Sequence, residues 1–289
     1  MLFRQEFRDL PKHINWFPGH MRKAMDQLED EIKKANLFIE VRDARIPVTS
    51  HNKDLLSLIK DRSPSLKRLV IFNKMDVCTE SKTLAHIKRM QETEPKMECI
   101  HISTKKNQNV SKVLTFIQNN VSAQFKTVGA WVLVGGIPNV GKSTIINAVR
   151  KKDESVNHSK KSGARTGGVP CVTKSITGFK IISDPPKIKE DSEDGLKLAV
   201  CANIRDGILE HELVCDYLLY KLNKEAVFNY VNRYALPMRR PTDSIHELSS
   251  CIMERFKQTE RQSAYDSFLR DFRDGKLGNI TFDELPRGV

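Results

Sequence analysis

Two short motifs in this chain carry residue types that could hold a nucleotide. Gly136-Ile-Pro-Asn-Val-Gly141-Lys142-Ser143 fits a GxxxxGK[ST] loop. Its glycines let backbone N–H groups close around phosphate oxygens. The Lys142 ammonium, expected on an exposed loop, can reach the β- and γ-phosphates, and the Ser143 hydroxyl can hold magnesium. Asn139, Val140, Gly141 and Thr144 belong to the same phosphate-binding set. Asn73-Lys74-Met75-Asp76 fits an NKxD motif. The Asp76 carboxylate can accept from the ring N–H and the exocyclic amine of guanine, which adenine cannot supply. Asn73 would brace neighbouring loops, and the stem of Lys74 would cover the base plane. The competing readings are a ligand-free glycine turn for the first motif and a helix N-cap at Asp76 for the second.

The elements that must position these residues are legible around them. Trp131–Val134 is a short apolar run, read as a buried strand, and Thr144–Val149 reads as a helix whose N-terminus faces an anion. Leu69–Phe72 is a second apolar strand, ending where NKxD begins. Ligands of open α/β sheets bind at the carboxyl ends of strands. Glu98–Ile102 reads as a further strand, with Ser103, Thr104 and Lys105 where a loop backing the base belongs. Polar residues after a strand are also ordinary turn chemistry. A helix over Met21–Lys34 and the strand Leu37–Val41 open the series.

This alternation, running to about residue 200, implies an α/β fold with a mainly parallel sheet and helices on both faces. Beyond Ala202 the spacing turns helical. Leu213, Tyr217, Leu218 and Leu222 could share one face, and Phe256, Tyr265, Phe268 and Phe272 another. Leu236–Pro241 divides that region. The expected organisation is an N-terminal extension over residues 1–20, an α/β domain over 21–200 and a small helical domain over 201–289.

Motif order is the most informative feature. In Ras-like GTPases the phosphate loop opens the domain and NKxD lies near its end, whereas here NKxD comes first. The same parts in rotated order imply a circularly permuted P-loop GTPase. The old termini would be joined near residues 107–130, and the second switch would run directly into the helical region. Thr166–Thr173 stands where the first switch belongs; Thr173 reads equally as a magnesium and γ-phosphate ligand or as a strand-edge threonine. For the second switch, Phe179–Ser183 reads as the strand and Asp184 as the metal ligand. Pro185-Pro186-Lys187 then puts no glycine where DxxG requires one, and the next glycine is Gly195. Slow hydrolysis is the expectation.

Trp16-Phe-Pro-Gly-His-Met21, Asp43-Ala-Arg-Ile-Pro47, Asn73–Asp76, Ile137–Thr144, Gly195-Leu-Lys-Leu-Ala199 and Asp216-Tyr-Leu-Leu-Tyr220 follow one another in that order. This series resembles the mitochondrial ribosome-associated GTPase 1 family, relatives of the bacterial ribosome biogenesis GTPase A. The likeness spans nearly the whole chain. It implies a role in assembling the large ribosomal subunit on its rRNA, with GTP hydrolysis as the reaction. It also implies peripheral association with the inner membrane. Lys142, Thr173 and Asp184 would be the catalytic set, with magnesium on Ser143, Thr173 and Asp184, and potassium on Asn139. The stretch before Gly195 is a few residues shorter than the family pattern.

Charge and cysteine usage bound the alternatives. Residues 1–200 hold 35 basic and 22 acidic residues, while residues 201–289 hold 13 and 14. The basic excess of the nucleotide-binding part suits a polyanion such as ribosomal RNA, or simply solubility and attraction to the nucleotide. Six cysteines without paired spacing read as reduced thiols. No run is long enough to span a membrane. Arg4 and Arg8 beside Phe3 and Phe7 suit mitochondrial targeting, while Glu6 and Asp9 argue against a transit peptide and leave a cytoplasmic location as the alternative. Three function classes remain: a hydrolysing GTPase, a GTP-binding scaffold without turnover, and a plain RNA-binding protein.

Overall fold

The computed structural model describes residues 3–11, 30–121, 130–152, 176–183 and 192–285. Its sheet has five strands: β1 Leu37–Asp43, β2 Arg68–Asn73, β3 Glu98–His101, β4 Ala130–Gly135 and β5 Ile176–Ile181. All pairings are parallel, in the order β3-β2-β1-β4-β5. The chain builds outward from β1 in one direction, then returns to its other side with β4 and β5. The topological switch point therefore lies between β1 and β4, where ligand crevices form in such sheets.

Helices cover both faces, as the alternation implies. The odd residues of β1 (Leu37, Ile39, Val41), with Leu69, Ile71, Val132 and Val134, share a core with α3 (Val110–Val121) and α4 (Lys142–Lys152). On the other face Phe38 and Leu133 pack with Ile32, Leu55 and Ile59, the last two from α1 (Lys53–Arg62). Val70 and Phe72 meet Ile87 of α2 (Glu80–Thr93). Every residue of β1 is buried, Glu40, Arg42 and Asp43 included, so the apolar–polar alternation of Ile39–Arg42 does not mark a solvent face.

The first core continues into the C-terminal helices: α5 Asp194–Val200, α6 His211–Lys224, α7 Asn229–Arg233, α8 Ile245–Phe256 and α9 Arg261–Arg273. Residues 279–284 then return to the sheet. The Phe282 amide donates to the Arg45 carbonyl at 2.8 Å, and the Asp283 carboxylate accepts from the amides of Val48 and Thr49 at 2.7 and 3.0 Å. Phe256 does not join the face of Tyr265, Phe268 and Phe272. It ends α8, Lys257 closes that helix in the left-handed region, and Phe256 packs edge-on against Tyr234 with 41% of its surface exposed. The strand expected over Phe179–Ser183 lies earlier, over Ile176–Ile181.

Residues 3–11 lie against the C-terminal helices. Arg4 grips the Asp216 carboxylate through both terminal nitrogens at 2.7 and 2.8 Å, and its Nε reaches Asp243 at 3.1 Å. Phe7 is buried edge-on to Tyr217, and the Tyr220 hydroxyl donates to the Gln5 carbonyl. Of the helix expected over Met21–Lys34, only residues 30–34 are described, and they are helical.

Candidate nucleotide site

Four loops leave the carboxyl edge of the sheet side by side: 136–141 after β4, 44–50 after β1, 74–76 after β2 and 103–109 after β3. The first is shaped by two glycines. Gly136 has φ 145°, and a Cβ there would stand 2.3 Å from the Val41 carbonyl oxygen. Gly141 has φ 99°, and its Cβ would meet Asn73 Nδ2 at 2.3 Å. Neither position admits a side chain. Helix α4 begins at Lys142, so its first N–H groups and positive end open onto the loop.

Asn73 joins the phosphate and base halves. Its Nδ2 donates to the Val140 carbonyl at 2.9 Å, and its Oδ1 accepts from the Thr104 amide at 3.2 Å and hydroxyl at 3.3 Å. One amide thus braces two loops, as NKxD requires. The Ser103 hydroxyl donates to Asp76 Oδ1 at 2.6 Å, so the loop after β3 orients the Asp76 carboxylate. Asp76 is the middle residue of a 3-10 turn, Met75–Val77, whose N-cap is Lys74 and which has no side-chain cap bond, so Asp76 is not an N-cap here.

Lys142 departs from expectation. It is buried, with Nζ donating to the carbonyls of Gly136 at 2.8 Å and Ile137 at 2.7 Å. Desolvation without a carboxylate partner lowers its pKa to about 8. The loop curls around this ammonium because it sits on the first turn of α4, directly under the loop's own carbonyls. Ser143 and Thr144 are exposed at the same helix end, and the Ser143 hydroxyl fits a magnesium ligand on that ground. Asn139 is exposed in the left-handed region, φ 58°, and its Nδ2 donates to the Ala202 carbonyl at 2.8 Å. Thr173 and Asp184, the other residues expected to serve metal and chemistry, lie outside the described residues, as do Pro185, Pro186, Lys187 and Ile188.

Two groups with roles here were not found from the sequence. Asp43 and Arg45 were read only as part of a motif. In the fold, Asp43 takes Lys74 Nζ at 2.9 Å, and Arg45 holds the same carboxylate through Nε at 3.0 Å and Nη2 at 2.7 Å. The available signal was a carboxylate on the last residue of a strand with a guanidinium two residues further on, in the loop that follows. The second group is the turn after α5. Asn203 Nδ2 donates to the Pro138 carbonyl at 2.8 Å, reciprocating the Asn139–Ala202 contact. Nothing in its local sequence marks that turn.

The arrangement can bind a nucleoside polyphosphate, with phosphates at the α4 N-terminus and a guanine-type donor pair at Asp76. No group of acidic, histidine or cysteine side chains among the described residues is arranged to hold a metal. Five cysteines there (Cys78, Cys99, Cys201, Cys215 and Cys251) are free thiols. No helix among the described residues is long and apolar enough to cross a membrane.

Comparison with known proteins agrees with this geometry. A family model described as 50S ribosome-binding GTPase matches residues 131–225. Mitochondrial ribosome-associated GTPase 1 of Ictalurus punctatus is 31% identical, over 93% of this chain and 92% of its own. Ribosome biogenesis GTPase A of Bacillus cereus is also 31% identical, over 93% of each chain. The crystal structure of GNP-bound YlqF from T. maritima superposes with a TM-score of 0.58 at 19% identity, covering 90% of this chain and 97% of that one. That likeness is one of fold.

Proposed function

Since the chain belongs to the mitochondrial ribosome-associated GTPase 1 family, we propose that it is a mitochondrial, guanine-nucleotide-binding ribosome assembly factor that engages the large subunit. The observation that carries the nucleotide part is Asn73, whose single amide fastens the phosphate loop to the loop backing the base. Relatives named for ribosome association and for ribosome biogenesis support the partner. The basic excess of residues 1–200 supports rRNA as its contact surface.

In this reading Asp76, held by Ser103, accepts the two guanine donors, and Asn73 keeps base and phosphate loops in register. Lys142 exchanges the Gly136 and Ile137 carbonyls for phosphate oxygens, which satisfy the ammonium with full charges in place of dipoles. Magnesium, held by Ser143 with Thr173 and Asp184, would supply charge neutralisation to the phosphates. Potassium would lie beside Asn139, whose Oδ1 is the side-chain atom left to face a cation once Nδ2 is given to Ala202. The shortened stretch at Asp184–Lys187 favours slow turnover, so nucleotide occupancy serves as the signal to the subunit.

The test is a titration with guanine and adenine nucleotides, followed by co-sedimentation with separated mitochondrial subunits. Binding of GTP and GDP but not ATP, and nucleotide-dependent recovery with the large subunit, are expected. Equal ATP and GTP affinity would remove the guanine assignment. Recovery with the small subunit alone would remove the large-subunit assignment.

A further inference from the structure

Lys74 of the NKxD motif ends on a carboxylate outside that motif. Its backbone is held in the left-handed region, φ 69° and ψ 33°, which aims the side chain back over the sheet edge to Asp43. Asp43 is fully buried at the end of β1. Burial alone would raise its carboxyl; the charges of Arg45 and Lys74 overcome this and hold it well below the usual carboxylate range. Arg45 is buried as well. Its Nη2 also reaches the Cys201 carbonyl at 3.0 Å, its guanidinium lies 5.8 Å from the centre of the Phe272 ring, and its carbonyl accepts from Phe282.

We propose that Asp43 and Arg45 are positioning residues for the nucleotide base, holding Lys74 across its site and tying that hold to the C-terminal helices. The inference rests on the guanine-nucleotide reading and deepens it. Stability alone is a poor account of this cluster. Arg45 Nη1 is buried with no hydrogen-bond partner among the described residues, which costs free energy. An apolar pair would fill the same space more favourably. What the charges provide is a fixed end point for the Lys74 ammonium, so that its stem stays over the base plane with little freedom left to lose on binding. Arg45 extends the hold to residue 201, and residues 202 and 203 bond the phosphate loop. Base site, phosphate loop and α9 therefore share one chain of contacts.

The test uses the full chain and fluorescent mant-GDP as probe, with K74M, D43N and the D43N/K74M double variant. Lys74→Met keeps the apolar stem and removes only the ammonium. Each single variant is expected to weaken mant-GDP binding by about tenfold, and the double variant by no more than either, because the two residues act as one unit. Losses that multiply in the double variant, or a K74M that binds like the wild type, would overturn the proposal. If D43N does not fold, K74M decides alone, since Lys74 is partly exposed and removes no core packing. The coupling is read by hydrogen exchange at the Phe282 amide. GDP should slow it in the wild type and not in K74M; equal protection in both defeats the C-terminal connection. A wild type that fails to bind mant-GDP removes the guanine reading and this proposal together, whereas an unimpaired K74M removes this proposal only.

Discussion

The side-chain amide of Asn73 occupies the space that a Cβ on Gly141 would need. The two groups would approach to 2.3 Å, and Asn73 cannot retreat without giving up its bond to the Val140 carbonyl. Gly141 also has φ 99°, which a side chain resists. Gly141→Ala should therefore cost about 1–3 kcal/mol of folding stability from backbone strain and abolish measurable GDP binding. The checks are chemical unfolding and a GDP titration. A G141A protein with wild-type affinity would mean that the loop adopts another shape when loaded.

Asp76→Asn should weaken GDP and GTP binding by about 1.5–3 kcal/mol, roughly one to two decades. The amide would turn an N–H toward the guanine donors, or lose the Ser103 hydrogen bond if it flipped. A base with a carbonyl in place of the exocyclic amine, as in xanthine, would receive that N–H. The variant should therefore prefer XDP to GDP. Competition between the two nucleotides measures the ratio, and an unchanged preference for GDP would argue against Asp76 as the base reader.

Lys142 gives nucleotide affinity a pH dependence of known sign. Its pKa in the free protein is lowered to about 8, so the ammonium is neutral above that pH and phosphate binding must take up a proton. Affinity should be level below pH 7.5 and fall by up to about tenfold per pH unit above 8. Folding responds in the opposite direction. A lowered lysine pKa penalises the folded state at low pH, and the penalty lifts as pH rises from about 8 toward the ordinary lysine value. Calorimetry in buffers of different ionisation enthalpy detects the proton uptake. No uptake at pH 8.5 would show that Lys142 remains charged before the ligand arrives.

Intrinsic GTP hydrolysis should be very slow and little stimulated by ribosomal subunits, because Pro186 offers no N–H and Lys187 takes the sequence position of the DxxG glycine. Replacing the segment between Ser183 and Ile188 with an Asp-Thr-Pro-Gly stretch of family length should raise turnover. A potassium-containing assay of both proteins, with large subunits present, makes the comparison. Brisk turnover by the unaltered chain would show that another backbone group contacts the γ-phosphate.

Residues whose role is local were legible in the sequence. Glycines 136 and 141 answer to backbone geometry, and apolar runs such as Leu69–Phe72 answer to a sheet buried on both faces. Contacts set by tertiary packing were not. Lys142 looks like an exposed loop lysine until α4 is seen to begin at it and the loop to fold over it. Phe256 fits a helical face by spacing, but Lys257 ends the helix in the left-handed region without a glycine or proline to mark the stop. The Asp43–Lys74 pair joins residues 31 apart through adjacent strands, and no periodicity within either segment encodes a partner on the next.

The docking of residues 3–11 has a consequence for the order of events in the cell. Arg4 and Phe7, two of the four residues that would speak to an import receptor under the mitochondrial reading, are committed to Asp216, Asp243 and Tyr217 in the finished fold, while Arg8 stays 88% exposed. Folding covers the aromatic half of that pattern more than the basic half. Under that reading, Phe7 is open to a receptor only while α6 is unformed. Cleavage of the segment after delivery would leave Asp216 and Asp243 without the Arg4 cation and expose the ring of Tyr217, so the matured surface would gain negative charge beside an uncovered aromatic patch.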